Sequence, residues 1–513
     1  MTNRKGAFGI LFCGFALVIF GCISQQKTTK NESTAINPYF ARFPADTSVT
    51  KIEHGKWVVR NEPLTPPFTK LEALENFWRV WEDKSEQDAV KDLHGPELLA
   101  AIGKHYGLGT PDYDNNGLPL GLMQIDVPNE HGVQEKWVTT NCYACHSNKI
   151  NDHIVWGAWN SRFDYQMMIV DNLRLLEKTY GLAKDTLVKK LPLQLSQTSG
   201  RLNLIKGLSF SASVRDKDMN LRAPVDIGKV LAMTDNDQGA NPWWNTKLKN
   251  RLYWDGWMSS QAELHSSDFL GIVSKIGGGD TGIPQITVAL PPDKIKAALP
   301  DVADSYSYHM STEAPKYPFE INRDLAMEGE KVFNSQSCVQ CHGSYGANQK
   351  YPDKFIPIST VGTDPVRYQN VPNVFLDWYR GVPSGLIQTT SDGQPMHVDV
   401  GQQDGYLAPP LNGVWASAPY FHNKSVPTLR EVLRPIERPS IWKLVDESFD
   451  MYDQQKVGLK VERYSRIPDG ITEWQRRKYF DSSASGASVR GHGYGVVLTD
   501  HQVDAVIEYL KTL

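Results

Sequence analysis

The sequence predicts a mainly α fold with long loops, divided into two halves. Three observations carry that expectation. Apolar residues recur at helical spacing in several stretches, strand signals stay sparse and short, and one five-residue pattern occurs once in each half of the 513 residues. That length exceeds the usual size of a single domain. Hydrophobic residues make up 40% and charged residues 22%, an ordinary globular mixture that excludes wholesale disorder and a polytopic membrane protein. Lys and Arg number 54 against 58 Asp and Glu, a net charge of −4, so no charge excess addresses nucleic acid.

The N-terminus reads as an address. Arg4 and Lys5 precede an uncharged run over residues 6–21, too short as a helix to cross a bilayer core of about 30 Å. A basic start, a short apolar run and a small residue before the cleavage point describe an export signal over residues 1–21. The run closes Ile19-Phe20-Gly21-Cys22. This ending resembles the bacterial lipobox, which implies lipid attachment at Cys22. No Asp follows that cysteine directly, and by the same resemblance this favours an outer-membrane anchor on the periplasmic side of a Gram-negative bacterium. Residues 22–40 are largely polar and read as a flexible tether.

Further along, Leu71, Leu74, Phe77, Trp78 and Trp81 give helical spacing over residues 65–83. Residues 97–106 read as a second short helix, stopped by Gly107, and residues 110–120 as a Gly-, Asp- and Asn-rich loop. Helices are predicted over 164–180 and 184–191, and an inter-domain passage over 276–300. In the second half, Leu325, Gly329, Val332 and Phe333 mark a helix over 322–333. Thr499 and Asp500 cap a last helix carrying Val503, Val506, Ile507, Leu510 and Leu513. Residues 434–485 read as an insertion.

Four cysteines repeat one pattern, Cys142-Tyr143-Ala144-Cys145-His146 and Cys338-Val339-Gln340-Cys341-His342. C-x-x-C-H is the attachment signature of c-type haem. Two thiols one helical turn apart meet the vinyl groups on one porphyrin edge, and the adjacent His reaches the iron. A zinc site built from the two pairs, or thioredoxin-like redox pairs, would not require His after both. The expectation is therefore two covalently bound haem c groups, with His146 and His342 as proximal ligands. Two cytochrome c-like haem domains would cover residues 41–310 and 311–513.

Three further stretches resemble the dihaem cytochrome c peroxidase superfamily, nearest its rubber oxygenase A-like (RoxA-like) branch. They are Leu252-Tyr253-Trp254-Asp255-Gly256, the stretch 406–429 from Tyr406-Leu407-Ala408-Pro409-Pro410 to Pro427-Thr428-Leu429, and Gly491-His492-Gly493-Tyr494-Gly495. The likeness covers roughly residues 130–513. It implies a cavity beside the first haem in which the peroxidases place a distal Glu for peroxide cleavage. Here Trp257 stands where that family has Arg, and residues 269–279 contain no acid. A peroxide-cleaving site needs an acid or base to move a proton. An apolar distal pocket suits dioxygen instead.

Distal ligands decide which iron is open. For the second haem the expected ligand is His492, whose flanking glycines let the backbone approach the ring. The alternatives are His422, read mainly as a turn-holding histidine, and Met396. For the first haem no ligand stands out. His153 follows too closely on His146, and His265 is a lone histidine. The first iron is therefore expected to be open or weakly ligated, and so to be the active site. Trp254 is a possible electron relay, and Asp255 is expected to hold its local turn. Two functions follow. One is an exported dihaem oxidoreductase, with dioxygen or peroxide at the first haem and electron transfer at the second. The other is a pure electron-transfer lipoprotein. Expected partners are a redox protein or a small-molecule or polymer substrate, and a membrane through the lipid anchor.

Overall fold

The computed structural model describes residues 48–63, 67–129, 131–188, 198–202, 237–259, 297–347, 349–371 and 404–513, with 216, 220, 373, 376–378, 380 and 401. Cys22, the export signal, the tether, His265, Met396 and the stretch 269–279 lie outside the described residues.

The first half opens with α1 (Val49–Asn61) and continues to α2 (Gly95–His105), which Pro96 starts. A hairpin of β1 (Leu122–Pro128) and β2 (Gln134–Thr140) pairs Leu122 with Thr140 through Pro128 with Gln134. It delivers the chain to the first cysteine pair, beyond which β3 (Ser147–Ile150) and β4 (His153–Trp156) form a second hairpin. The Asp164 carboxylate caps α3 (Tyr165–Thr179) by accepting from the Met167 amide at 3.0 Å. α4 (Leu299–Ser311) then returns to pack along α1.

The second half runs from α5 (Arg323–Ser335) into the short α6 (Cys338–His342). β5 (Phe355–Pro357) pairs with β6 (Gly405–Leu407). α7 (Leu429–Leu433) follows behind a Thr428/Glu431 capping box. A three-stranded sheet sets β7 (Ile441–Leu444) between β8 (Val461–Tyr464) and β9 (Phe480–Asp481), with α8 (Glu473–Arg477) inserted before the last strand. α9 (Asp500–Lys511) closes the chain and packs on α5. Among the described residues no helix is long and apolar enough to cross a membrane.

The architecture is thus mixed rather than mainly α, with six small antiparallel sheets among the described residues. The strands escape a sequence reading because they are short and their buried residues do not alternate. Trp137, Val138, Thr139 and Thr140 at the end of β2 are buried consecutively. The helix expected over 65–83 is instead a two-residue strand and two short turns, Leu71–Leu74 and Phe77–Val80. Asn76 breaks it by turning its side-chain amide back onto the Glu72 carbonyl at 2.7 Å. The expected passage over 276–300 ends inside α4, whose first residue is Leu299.

The two helix pairs share one geometry. A Cβ on Gly55 of α1 would overlap the Asp304 carbonyl of α4, and a Cβ on Gly329 of α5 would overlap the Ala505 carbonyl of α9. One turn on from each contact stand Val59 and Tyr308 in the first pair, and Phe333 and Tyr509 in the second, the latter two rings 5.4 Å apart. Each half therefore closes through a glycine crossing of its first and last helices.

The stretch read as an insertion locks the halves together. Arg477 of α8 donates twice to the Asp164 carboxylate, at 2.8 and 2.6 Å, with both side chains buried. Trp474 lays its ring on His105 at 4.2 Å, and Trp81 covers the other face of that imidazole at 3.8 Å. Residues from Phe43 to Leu513 cluster as one unit.

Candidate metal centre

The second cysteine pair lies on α6, one turn of helix that ends at Gly343 with φ +79°. Only glycine suits that turn, because a side chain there would meet the Lys350 carbonyl. The ring of His342 is held from behind, Nδ1–H donating to the Pro409 carbonyl at 2.8 Å. This fixes Nε2 as the lone-pair nitrogen. Facing it is His492, with ring centres 6.1 Å apart and planes inclined by 59°.

His492 is held in place from several sides. Its backbone has φ +48°, a conformation rare for a residue with a side chain. Its amide donates to the Val361 carbonyl at 2.8 Å, and Gly491 lets the chain press against residues 361–363, where a Cβ would overlap the backbone. Arg438 gathers the carbonyls of Glu431, Val432, Val489 and Gly491 at 2.6–2.8 Å, and that of His492 at 3.4 Å. Burial pushes both imidazoles toward the neutral form, His342 downward and His492 to about 3.

The first cysteine pair sits on the single-turn helix Cys142–Ala144 at the end of β2. Asn141 caps it, accepting from the Tyr143 amide at 3.0 Å while its own amide donates to the Arg60 carbonyl of α1 at 2.6 Å. The His146 carbonyl accepts from Gly157 at 2.8 Å, so the motif is stitched to the β3–β4 hairpin. The His146 ring meets the edge of Trp159 at 6.2 Å and stacks on Trp243 at 4.9 Å. On Trp243 lies a further buried imidazole, His309, at 4.0 Å. Burial raises the Cys145 thiol to about 12.

Trp254 joins the two motifs. Its indole N–H donates to the Gly239 carbonyl at 2.6 Å, and Gly239 packs where a Cβ would strike Trp159, the neighbour of His146. Its own carbonyl accepts from Leu407 at 2.8 Å, two residues before the Pro409 that orients His342. Asp255 does more than hold its turn. It forms a buried ion pair with Arg367 at 3.1 Å.

Of the sequence-predicted ligands, the structure brings His342 and His492 together and does not set His422 between them. His422 is buried in a stack on Tyr406 at 4.3 Å, its carbonyl accepting from Gly239 at 3.2 Å. Burial and the nearby Arg367 push its imidazole down to about 3. His153 is exposed on β4. The roles of Pro409, Arg438, Trp159, Trp243 and His309 are not visible in sequence. Pro409, inside the stretch 406–429, and Trp243, in a Trp-Trp pair, carried a signal there.

These donors fit a porphyrin iron. Two imidazoles on opposite sides of one metal, each about 2 Å from it, put their ring centres roughly 6 Å apart. The His342–His492 separation matches that figure. A shared zinc does not fit, because among the described residues no three His, Cys, Asp or Glu are grouped to hold a metal ion. The four described cysteines are free of disulfides and available for thioether bonds.

Residues 405–443 match a family described as RoxA-like, cytochrome c-like. This segment supplies Pro409 and Arg438. The match implies haem c binding and a cytochrome-type redox function. The chain is also similar to two uncharacterized proteins of Sinorhizobium fredii. It is 26% identical to y4iM over 310 residues, 52% of this chain and 63% of that protein. It is 28% identical to y4iJ over 258 residues, 39% of this chain and 41% of that protein. The chain thus spans less than two thirds of the length of either.

Proposed function

We propose that this chain is an exported dihaem c-type cytochrome oxidoreductase of the dihaem peroxidase superfamily. His146 would hold a first haem left open to dioxygen or peroxide, and His342 with His492 would hold a second that serves electron transfer. The His342–His492 pairing at 6.1 Å carries this reading. Two strong ligands close an iron to substrates and leave it to electron transfer. When bound, haem c supplies the redox couple and an axial position for an oxidant. The chain's own residues do the rest. Cys142, Cys145, Cys338 and Cys341 anchor the groups. Pro409 orients His342, Arg438 holds the loop of His492, and Trp254 bridges the backbones of the two halves. Trp257 is fully buried and stacks on Tyr253 at 4.9 Å. Lipidation at Cys22 would hold the protein on the periplasmic side of the outer membrane, within reach of a redox partner or a hydrophobic substrate.

A second reading, an electron carrier with both irons closed, is favoured by His309. It lies one indole away from His146. Optical and EPR spectra of the oxidised protein separate the two. The enzyme reading expects one low-spin bis-histidine haem and one that responds to cyanide or, once reduced, to carbon monoxide. Two low-spin haems with no response to either would sink it in favour of the carrier. His492→Ala must abolish the bis-histidine signal, while His422→Ala must leave it in place.

A further inference from the structure

Trp254 has two cationic neighbours that nothing so far explains. The Lys249 ammonium lies 6.0 Å from the centre of its indole and the Lys424 ammonium 5.8 Å. Both residues are buried, at 5% and 3% exposure. Lysine is almost never buried unless paired. Yet Lys424 donates to the Ser417 carbonyl at 3.2 Å, and among the described residues no carboxylate bears on it. For Lys249 the one carboxylate among the described residues that bears on it is Asp353, not an ion-pair partner, which accepts instead from the Asn250 amide at 2.9 Å. An indole face offsets only a small part of the hydration that two ammonium groups lose. Burial accordingly lowers Lys424 to about 7 and Lys249 to about 8.

The two lysines point toward different motifs. Lys424 fills the space beside Gly239 and Trp159, whose ring touches His146. Lys249 lies by the segment of Asp353. That segment packs on Gly343, directly after His342, and its Tyr351 hydroxyl donates to the Ala408 carbonyl beside Pro409.

We propose that Lys424 and Lys249 are the counter-cations of porphyrin carboxylates. Lys424 would serve the group attached at Cys142 and Cys145, and Lys249 the group attached at Cys338 and Cys341, with Trp254 packed between the two ion pairs. The proposal rests on the dihaem reading. Each porphyrin brings its own carboxylates, so the anions missing from the polypeptide arrive with the group that the cysteines bind. A cation paired with such a carboxylate also favours the reduced iron, since it offsets negative charge near the metal.

The test uses the holoprotein with its haems attached. Lys424→Met, Lys249→Met and the two Lys→Arg variants are titrated by spectroelectrochemistry, with the bis-histidine band reporting the iron at His342. Lys424→Met is expected to lower the midpoint potential of the haem at His146 alone, Lys249→Met that of the haem at His342 alone, and Arg to restore each. Unmoved potentials in Met variants that carry both haems overturn the proposal. A shift that Arg does not restore also overturns it, because it marks a packing role. Should the Met variants fail to fold, resonance Raman spectra of the Arg variants decide. The propionate bending vibration of the matching haem must move when guanidinium replaces ammonium, and an unmoved vibration overturns the proposal. A haemochrome count of fewer than two haems per chain in the unmutated protein overturns the dihaem reading itself, before any lysine is changed.

Discussion

A side chain on Gly329 would stand inside the carbonyl group of Ala505 on the facing helix. Alanine is a better helix former than glycine by about 1 kcal/mol, so on propensity alone Gly329→Ala should stabilise. The contact with α9 reverses the sign. Forcing the helices apart costs about 1–3 kcal/mol. Gly329→Ala and, against the Asp304 carbonyl, Gly55→Ala are both expected to lower the melting temperature. A melting temperature equal to or above that of the parent, measured by circular dichroism, would refute the crossing.

Among the described residues Arg438 has no carboxylate partner in an ion pair and is instead surrounded by backbone oxygen, with Phe421 under its guanidinium at 5.0 Å. Hydrogen bonds to a charged group are each worth about 1.5–3 kcal/mol. Arg438→Met is expected to cost at least about 3 kcal/mol and to free the loop of His492. On the proposed dihaem reading, the informative readout is carbon monoxide binding to the reduced haem at His342, which His492 as a ligand would otherwise block. Arg438→Lys should recover only part of the effect, since three rotatable donors cannot serve five fixed acceptors.

The Asp255–Arg367 pair is buried on both sides. Burial pushes the Asp255 carboxyl upward even with Arg367 beside it. Arg367→Met leaves that acid without its cation and is expected to cost about 3–5 kcal/mol by urea denaturation. Asp255→Asn combined with Arg367→Met should cost clearly less than the sum of the single changes. Strict additivity would show that the two side chains do not act as a pair.

His105 gives a pH dependence. Burial lowers its pKa, and the Glu86 carboxylate at 2.8 Å only partly opposes this. The folded value thus lies below the unfolded value of about 6.5. Between the two, the unfolded chain binds the extra proton, so stability is lost as pH falls below about 6.5 toward the folded value. His422, held down to about 3, adds a slope of the same sign. Each imidazole contributes at most about 1.4 kcal/mol per pH unit. His105→Gln should flatten the fall of stability below pH 6.5 without removing it, and an unchanged slope would count against the buried sandwich.

The parts of the molecule legible in sequence are those with local signatures. The second-half helices announce themselves through Asn322 and Thr499 as caps and through their apolar spacing, and both stand within one to three residues of their expected bounds. α1 was invisible because Lys51, Glu53, His54 and Lys56 dilute its apolar face, and its role depends on Gly55 meeting Asp304 far along the chain. His492 was easy to single out because glycines flank it. Arg438 was not, because nothing local distinguishes an arginine that binds carbonyls from one that binds water. Nothing local marks Lys249 and Lys424 as buried either. Their burial is a product of tertiary packing alone.

Trp474 and Arg477 complete the first half from near the end of the chain. Synthesis runs the other way. Cys142 and Cys145 are made long before the residues that cover His105 and neutralise Asp164. Until residue 477 exists, Asp164 lacks its buried cation and His105 one of its two covering indoles. The second half carries its own closing helix and faces a shorter wait. The clamp therefore ties completion of the first half to residues made more than three hundred positions later.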